Sequence, residues 1–425
     1  MARWLYSLLL TVMLPGILAF LWYRGIKDRR YRERWSERLG YGPVSETPGT
    51  LWVHAASVGE VIAATPMIRA LREQAPDHPI LVTTMTPTGA ERVRAAFGNG
   101  VAHAYVPLDL PWMVNRFIRC LTPSVLIIME TEVWPNLVHG CARRGIPVIL
   151  ANARLSEQSA AGYARVAPLA LPAFRALDWI AAQAEADAQR FRALGVRSGQ
   201  LSVTGSIKYD LTIADETRKE AAALRETLGT QRPVWIGAST HEGEDARLLE
   251  AHCTLLATNP DALLVLVPRH PERFNDVAQA VQDQNLVMAR RSRAESAAKA
   301  QVYLADTMGE LLMLFGSADI AFIGGSLIER GGHNPLEAAA WSLPVLTGPH
   351  VFNFATVFEY LSQEDGVLFV EGEDALARSL QKLFGDETLR RETGQRARAV
   401  VEANQGAVAR LVEGISRRCF PVPRA

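Results

Sequence analysis

The chain has 425 residues, 48% of them hydrophobic, and its 45 basic residues are balanced by 45 acidic ones. That balance gives no sign of a nucleic-acid partner, and no repeat or low-complexity stretch appears. The four cysteines, Cys120, Cys141, Cys253 and Cys419, are scattered without metal-ligand spacing and read as reduced, cytosolic residues.

From Trp4 to Tyr23 the chain carries no charge and is rich in Leu, Trp and Tyr. About 20 such residues are enough to cross a bilayer core. Pro15 and Gly16 interrupt the run and leave a shallow or re-entrant anchor open. A signal peptide is the alternative, but no small-residue cleavage site follows. Between Arg24 and Arg38 there are seven Lys/Arg against three Asp/Glu, a net of +4. This segment reads as either a solvated helix face or a surface for anionic lipid, the second favoured beside an anchor. By the positive-inside rule it puts this end, and so the body of the protein, in the cytoplasm.

After the anchor, short apolar runs alternate with helical patterns. The first set is Leu51–Ala55, Ile80–Met85, His103–Pro107, Val125–Glu130, Pro147–Asn152, Trp179–Gln183 and Leu201–Thr204. The second is Val234–Gly237, Ala262–Pro268, Val302–Ala305, Asp319–Gly324, Pro344–Thr347 and Val367–Val370. Strand alternating with helix predicts parallel sheets covered on both faces, and two sets predict two Rossmann-like domains with a cleft between them. The boundaries expected are 1–24 for the anchor, 25–48 for the basic juxtamembrane segment and 49–210 for the N-terminal domain. A linker over 211–230 and a C-terminal domain over 231–425 follow. Ligands of such sheets bind beyond the carboxyl ends of the strands, so the loops there are where chemistry is sought.

In the first half, Ser57-x-x-Glu60 follows a strand and fits a capping box. Equally, Glu60 is a candidate general base for a hydroxyl. Thr83–Glu91 carries four threonines and a glycine, with Thr88 and Glu91 spaced as another capping pair. Two acids end the strand at Glu130. Glu132 suits the N-terminal charge of the following helix, and Glu130 is the better candidate for a site. At the domain boundary, Lys208 is either a surface lysine or a cation for a leaving phosphate or a substrate carboxylate.

In the second half, Pro268-Arg269-His270 ends a buried strand, and Arg269 suits bidentate phosphate binding. Asp306–Leu311 starts a helix, with Thr307 and Glu310 a capping pair and Met308, Gly309, Glu310 and Leu311 open to a nucleobase edge. The longest motif runs from Gly324 to Glu337: a strand, four glycines, then Asn334-Pro335-Leu336-Glu337-Ala338 at a helix start. Glycine lets backbone approach a ligand, and free N–H groups favour an anion, so Gly325 and Ser326 are expected to contact phosphate. Glu337 then faces ribose hydroxyls. A nucleotide half and an acceptor half follow the logic of GT-B glycosyltransferases.

The quoted segments extend further: HAASVGE from His54 to Glu60, TTMTPTG from Thr83, METEVWPN from Met129 to Asn136 and ANARLS from Ala151 to Ser156. HEGE from His241 to Glu244, PRHPERF from Pro268, DTMGEL from Asp306 and the Gly324–Glu337 loop complete the set. On these motifs, over essentially its whole length, the chain resembles the Kdo (3-deoxy-D-manno-octulosonic acid) transferases of Gram-negative bacteria.

The resemblance implies a membrane-anchored, inverting GT-B enzyme that moves Kdo from CMP-Kdo to a lipid A precursor such as lipid IVA, in lipopolysaccharide biosynthesis. It implies that Glu60 is the proton acceptor and that Glu130 and Lys208 stabilise the transition state. It assigns CMP contacts to Pro268 and Arg269, to Met308–Leu311 and to Asn334–Ala338. No cofactor or metal is expected; the partners are CMP-Kdo, the lipid acceptor and anionic membrane lipids. The alternatives are another GT-B nucleotide-sugar enzyme, such as a lipid glycosyltransferase or an epimerase, and a non-catalytic membrane-anchored nucleotide-binding protein.

Overall fold

The computed structural model describes residues 1–43 and 48–419; residues 44–47, at the end of the expected juxtamembrane segment, and 420–425 lie outside it. The chain divides into two compact units. Unit 1 comprises Met1–Asp210 together with the chain from Gly406, and unit 2 comprises Leu211–Gln405.

Unit 1 is built on seven parallel strands: β1 (Thr50–His54), β2 (Ile80–Thr84), β3 (Ala102–Tyr105), β4 (Pro123–Met129), β5 (Val148–Ala153), β6 (Trp179–Ala182) and β7 (Leu201–Val203). Their order is β3-β2-β1-β4-β5-β6-β7. The pleat sends alternate residues to opposite faces. Trp52, Leu126, Ile128 and Leu150 meet Phe117, Leu137 and Phe174 on one side. Leu51, Val53, Ile127 and Ile149 meet Val61, Met67 and Ile68 on the other. Both faces are covered by helices, which is why these strands are continuous apolar runs rather than alternating ones.

The last helix, Ala407–Cys419, packs Leu411 and Ile415 into this second core. Asp210 holds its start by accepting from the N–H groups of Gly406 and Val408. The boundaries read from sequence had left this segment with the C-terminal domain. A lone amphipathic helix does not announce which sheet it will cover.

Unit 2 repeats the plan with β8 (Val234–Thr240), β9 (Leu263–Pro268), β10 (Met288–Arg290), β11 (Val302–Leu304), β12 (Ile320–Ile323), β13 (Val345–Thr347) and β14 (Val367–Phe369). All are parallel, in the order β10-β11-β9-β8-β12-β13-β14. The expected linker is largely the helix Asp215–Leu228, part of this unit.

Helix α1 (Ala2–Lys27) has a mean hydropathy of 2.0 over its most apolar window and is, among the described residues, the helix long and apolar enough to cross a membrane. The basic segment after it is partly spent on the protein. Arg30 pairs with Asp28 and Glu91. Arg34 donates to Glu37 at 2.7 Å and to the His103 carbonyl at 2.6 Å. Arg38 is buried, its guanidinium 4.1 Å from the centre of the Tyr105 ring.

Candidate active site

In unit 1 the sheet order reverses between β1 and β4, because β2 lies on the far side of β1. Loops beyond such a switch point are where open parallel sheets bind ligands. The loop after β1 delivers Glu60 and the loop after β4 delivers Glu130.

Glu60 lies in the first turn of the helix Val58–Gln74. The capping box is formed: the Ser57 hydroxyl oxygen accepts from the Glu60 N–H at 3.3 Å and donates back to Glu60 Oε1 at 2.9 Å. Glu60 Oε2 accepts from the Ala56 N–H at 2.8 Å. Each oxygen takes one bond and keeps capacity for another. The residue is only 8% exposed. Burial pushes its pKa up to about 7, the two hydrogen bonds pull the other way, and the Glu130 and Glu132 carboxylates push it up further. Capping and proton abstraction are therefore compatible here. A carboxyl poised near 7 is partly ionised at neutral pH and basic enough to take a proton.

Glu130 has φ +56°, the left-handed region. A non-glycine residue held there costs on the order of 1 kcal/mol or more. Its N–H donates to the Ala151 carbonyl at 2.9 Å, which ties the turn to β5. Asn152, at φ +52°, uses its side-chain oxygen to accept from the Ile207 N–H at 3.2 Å. That bond fixes the short turn Ile207–Tyr209 that carries Lys208. Burial lowers the Lys208 pKa, and Glu130 raises it in opposition. Glu60, Glu130 and Lys208 thus form one electrostatically connected group.

Neighbouring motif residues have structural duties. Trp134 donates its indole N–H to Glu132 at 3.0 Å and meets His54 edge-on at 5.4 Å. His54 is fully buried, with a pKa pushed down to about 4 by burial, and so is neutral. The helix expected to be capped by Thr88 and Glu91 starts at Pro87. Thr86 caps it by accepting from the Gly89 N–H, while Glu91 turns to Arg30.

In unit 2 the sheet order reverses between β8 and β12, and the glycine-rich loop follows β12. The N–H groups of Gly325, Ser326 and Leu327 in it are already engaged. The carboxylate of the fully buried Glu244, from the loop after β8, accepts from Gly325 at 2.6 Å, Ser326 at 2.9 Å, Leu327 at 3.0 Å and His241 at 3.1 Å. Ser326 is itself fully buried, its hydroxyl donating to Ile323 O and accepting from the Gly348 N–H. The expectation that Gly325 and Ser326 offer their N–H groups to a phosphate is corrected: the anion in this cradle is a side chain of the protein.

Beside the cradle lie three histidines: His270, expected from the sequence as a hydrogen-bond donor in the nucleotide site, and His241 and His333, which the motifs contained without a role. His241 Nε2 is 2.8 Å from His333 Nε2, and His270 meets His241 edge-on at 5.2 Å. Two ring nitrogens at that distance need one donor and one acceptor. Burial pushes the His333 pKa down to about 4 and lowers that of His241, and the Arg269 charge adds to both. Arg269 follows Pro268, the last residue of β9; its side chain is exposed and makes no ion pair among the described residues.

Met308 is 56% exposed, and Gly309 has φ +87°, where a side chain would be strained. Glu310 is taken by Arg291 in a bidentate pair at 2.7 and 2.6 Å, which holds its pKa below the usual range. Gly309, Glu310 and Arg291, with Tyr303 and Thr307, line a cavity of about 1100 Å³. The helix Leu336–Ala340 begins one residue later than expected. Pro335 stands at its cap and Asn334 accepts from the Leu336 N–H at 3.1 Å. Leu336 and Ala338 are fully buried, so only their backbone can meet a ligand. Glu337 is half-buried, and burial raises its pKa.

Two doubly wound parallel sheets, with charged and hydroxyl-bearing loops at their switch points, have the architecture of the GT-B fold. Residues 239–400 match the family model described as glycosyl transferases group 1, and residues 33–211 match the one described as 3-deoxy-D-manno-octulosonic-acid transferase (kdotransferase). A 3-deoxy-D-manno-octulosonic acid transferase of Haemophilus influenzae is 46% identical, covering 97% of this chain and 98% of the relative. One from Bordetella pertussis is 34% identical over 98% and 99%. The solved UDP-GlcNAc 2-epimerase of Neisseria meningitidis, bound to UDP-GlcNAc, shares the fold at a TM-score of 0.60 with 14% identity, covering 87% of this chain and all of that one. The chain belongs to the 3-deoxy-D-manno-octulosonic acid (Kdo) transferase family.

Proposed function

We propose that the chain transfers Kdo from CMP-Kdo to a lipid A precursor, lipid IVA, with inversion at the anomeric carbon, and that Glu60 is the general base. The observation that carries this is the buried Glu60 carboxyl, with a pKa pushed up to about 7 beside Glu130 at the sheet's switch point. In the reaction Glu60 takes the proton of an acceptor hydroxyl. The oxygen forms its bond to the anomeric carbon, and the bond from that carbon to the CMP phosphate breaks, CMP leaving with the electron pair. Glu130 and Lys208 oppose the charge that develops. One base and a stabilised leaving group are enough for inversion, so no covalent nucleophile is needed.

Unit 2 supplies the donor contacts in this reading. Arg269 takes the phosphate, the Met308–Leu311 backbone takes the base, and Asn334–Ala338 with Glu337 takes the ribose hydroxyls. Pro268 and His270 flank Arg269. Gly325 and Ser326 contribute the shape of the loop rather than its N–H groups. The apolar helix α1 supports association with the inner membrane, the body on its cytoplasmic face.

The test is transfer by the detergent-purified chain from freshly generated CMP-Kdo to lipid IVA, read by mass spectrometry, with Glu60→Gln in parallel. A mass gain of one or more Kdo, absent in the variant, supports the reading. No gain by a folded chain that binds CMP refutes the acceptor.

A further inference from the structure

Helix α1 has one covered stripe that runs its full length. Arg3, Ser7, Leu10, Leu14, Ile17 and Leu21 recur at steps of three and four and are buried or half-buried, and Gly25 continues the series. Arg3 to Gly25 is about 33 Å at 1.5 Å per residue. A hydrocarbon core is about 30 Å thick.

Unit 1 holds both ends of this stripe through polar contacts. At the start, Tyr6 donates to Asp109 at 3.0 Å, and the Asn136 amide donates to the Ser7 hydroxyl at 3.0 Å and to the Asp109 carbonyl at 2.7 Å. Asp109 also accepts from the N–H groups of Asn136 and Leu137, and so caps the helix that follows Trp134. In the middle, Leu10, Leu14 and Ile17 share a cavity of about 180 Å³ with Leu108, Leu110 and Trp134. At the end the chain folds back. Arg24 lies over Tyr31 at 4.5 Å, Arg32 packs against Gly25, and Arg34 and Arg38 anchor the return to β3.

The outward face is different. Leu5, Leu8, Val12, Phe20 and Ile26 are 58–70% exposed. Basic groups stand at both ends: Arg3, Arg143 and Arg144 around a cavity of about 490 Å³ at the start, and Lys27 and Arg29 at the finish. A spanning helix concentrates its basic flank on one side. A helix seated along a polar domain cannot cross hydrocarbon without drawing Asp109, Asn136, Glu91 and Arg34 in with it, at several kcal/mol for each desolvated charge.

We propose that α1 is an in-plane, monotopic anchor: it lies along unit 1, sinks its outward face into one leaflet and leaves both of its ends on the side of the membrane that holds the body. This deepens the membrane association proposed above and rests on it. It also assigns Asn136 as the latch of the anchor, next to the loop that carries Glu130 and Glu132.

The experiment uses the full chain in sealed membrane vesicles of both orientations. With Cys120, Cys141, Cys253 and Cys419 changed to alanine so that only the introduced thiol reacts, cysteines are introduced one at a time, as Ala2→Cys on α1 and as Gly199→Cys on unit 1, where the added side chain meets open space. A membrane-impermeant maleimide is the probe. Labelling of both positions in the same vesicle orientation is expected. Position 2 reacting only in the orientation that protects position 199 overturns the in-plane anchor while keeping the protein at the membrane. Recovery of the chain in the supernatant instead overturns membrane association itself. Spin labels at Leu5→Cys, Val12→Cys and Phe20→Cys are expected at similar depths in phospholipid vesicles; a profile deepest at position 12 overturns the proposal as well.

Discussion

Glu60→Gln separates the capping contacts of Glu60 from its proposed role as general base, because glutamine is nearly isosteric with the protonated acid. The rise of the pKa from its ordinary 4.5 to about 7 corresponds to about 3 kcal/mol against the ionised form in the folded state. The sign follows from linkage: between those two values the folded state holds a proton that the unfolded state has lost, so stability falls as pH rises through about 7. Glutamine carries no such cost. The variant is therefore expected to match the parent within about 1 kcal/mol at pH 5, where the parent is protonated, and to exceed it by up to about 3 kcal/mol at pH 8. Chemical denaturation at the two pH values measures this.

Activity should move the other way. Loss of a general base costs about 10²- to 10⁴-fold. For the parent, kcat/KM should rise about tenfold per pH unit below 7 and level off above it, while the residual rate of the variant stays flat. One result refutes the reasoning: a variant about 2 kcal/mol or more less stable than the parent at both pH values. The carboxylate would then be an ionised cap that stabilises the fold, and its loss would explain any loss of transfer without a role in chemistry.

Arg269→Ala is expected to weaken CMP binding by about 30-fold, about 2 kcal/mol for a lost charge-assisted contact, with the melting curve unchanged; calorimetric titration decides it. Glu244→Gln strips a buried carboxylate of its charge where four N–H groups converge and should destabilise unit 2 on the order of 3 kcal/mol, seen as an earlier denaturation midpoint. Gly414→Ala drives a Cβ into the Trp179 ring and should cost unit 1 about 1–3 kcal/mol, with hydrogen exchange rising first over Ala407–Cys419.

Much of the scaffold was legible because buried parallel strands are long apolar runs that end in turn residues. The runs read from sequence cover every strand except Met288–Arg290. That strand is three residues long at a sheet edge, only Ala289 is buried, and Arg290 is held by Asp306. So short a segment has no period to detect. The final helix was not singled out, and the sheet it covers depends on Leu411 and Ile415 finding a core far back in the chain, which no local pattern encodes.

The site divides along the same line. Ser57 and Glu60 are three residues apart, so their mutual bonds are local and were readable as a capping box. What raises the pKa of Glu60 is burial together with Glu130 and Glu132, brought beside it only when β4 pairs with β1. The glycine loop shows the converse. Four glycines and a helix start pointed to N–H groups facing a bound phosphate; those of Gly325, Ser326 and Leu327 instead meet Glu244, because local sequence cannot say whose anion it is. Glu244 follows β8 and the loop follows β12, strands that become neighbours only in the folded sheet. An acid in a short glycine-containing motif, itself after a buried strand, was the available signal. Once it fills the cradle, the expected contacts still open to a nucleotide include Arg269, the backbone at Met308 and Gly309, and Glu337. The donor-binding reading therefore rests on fewer residues than the motif suggested, and Arg269→Ala bears on it more directly than any change in the glycines.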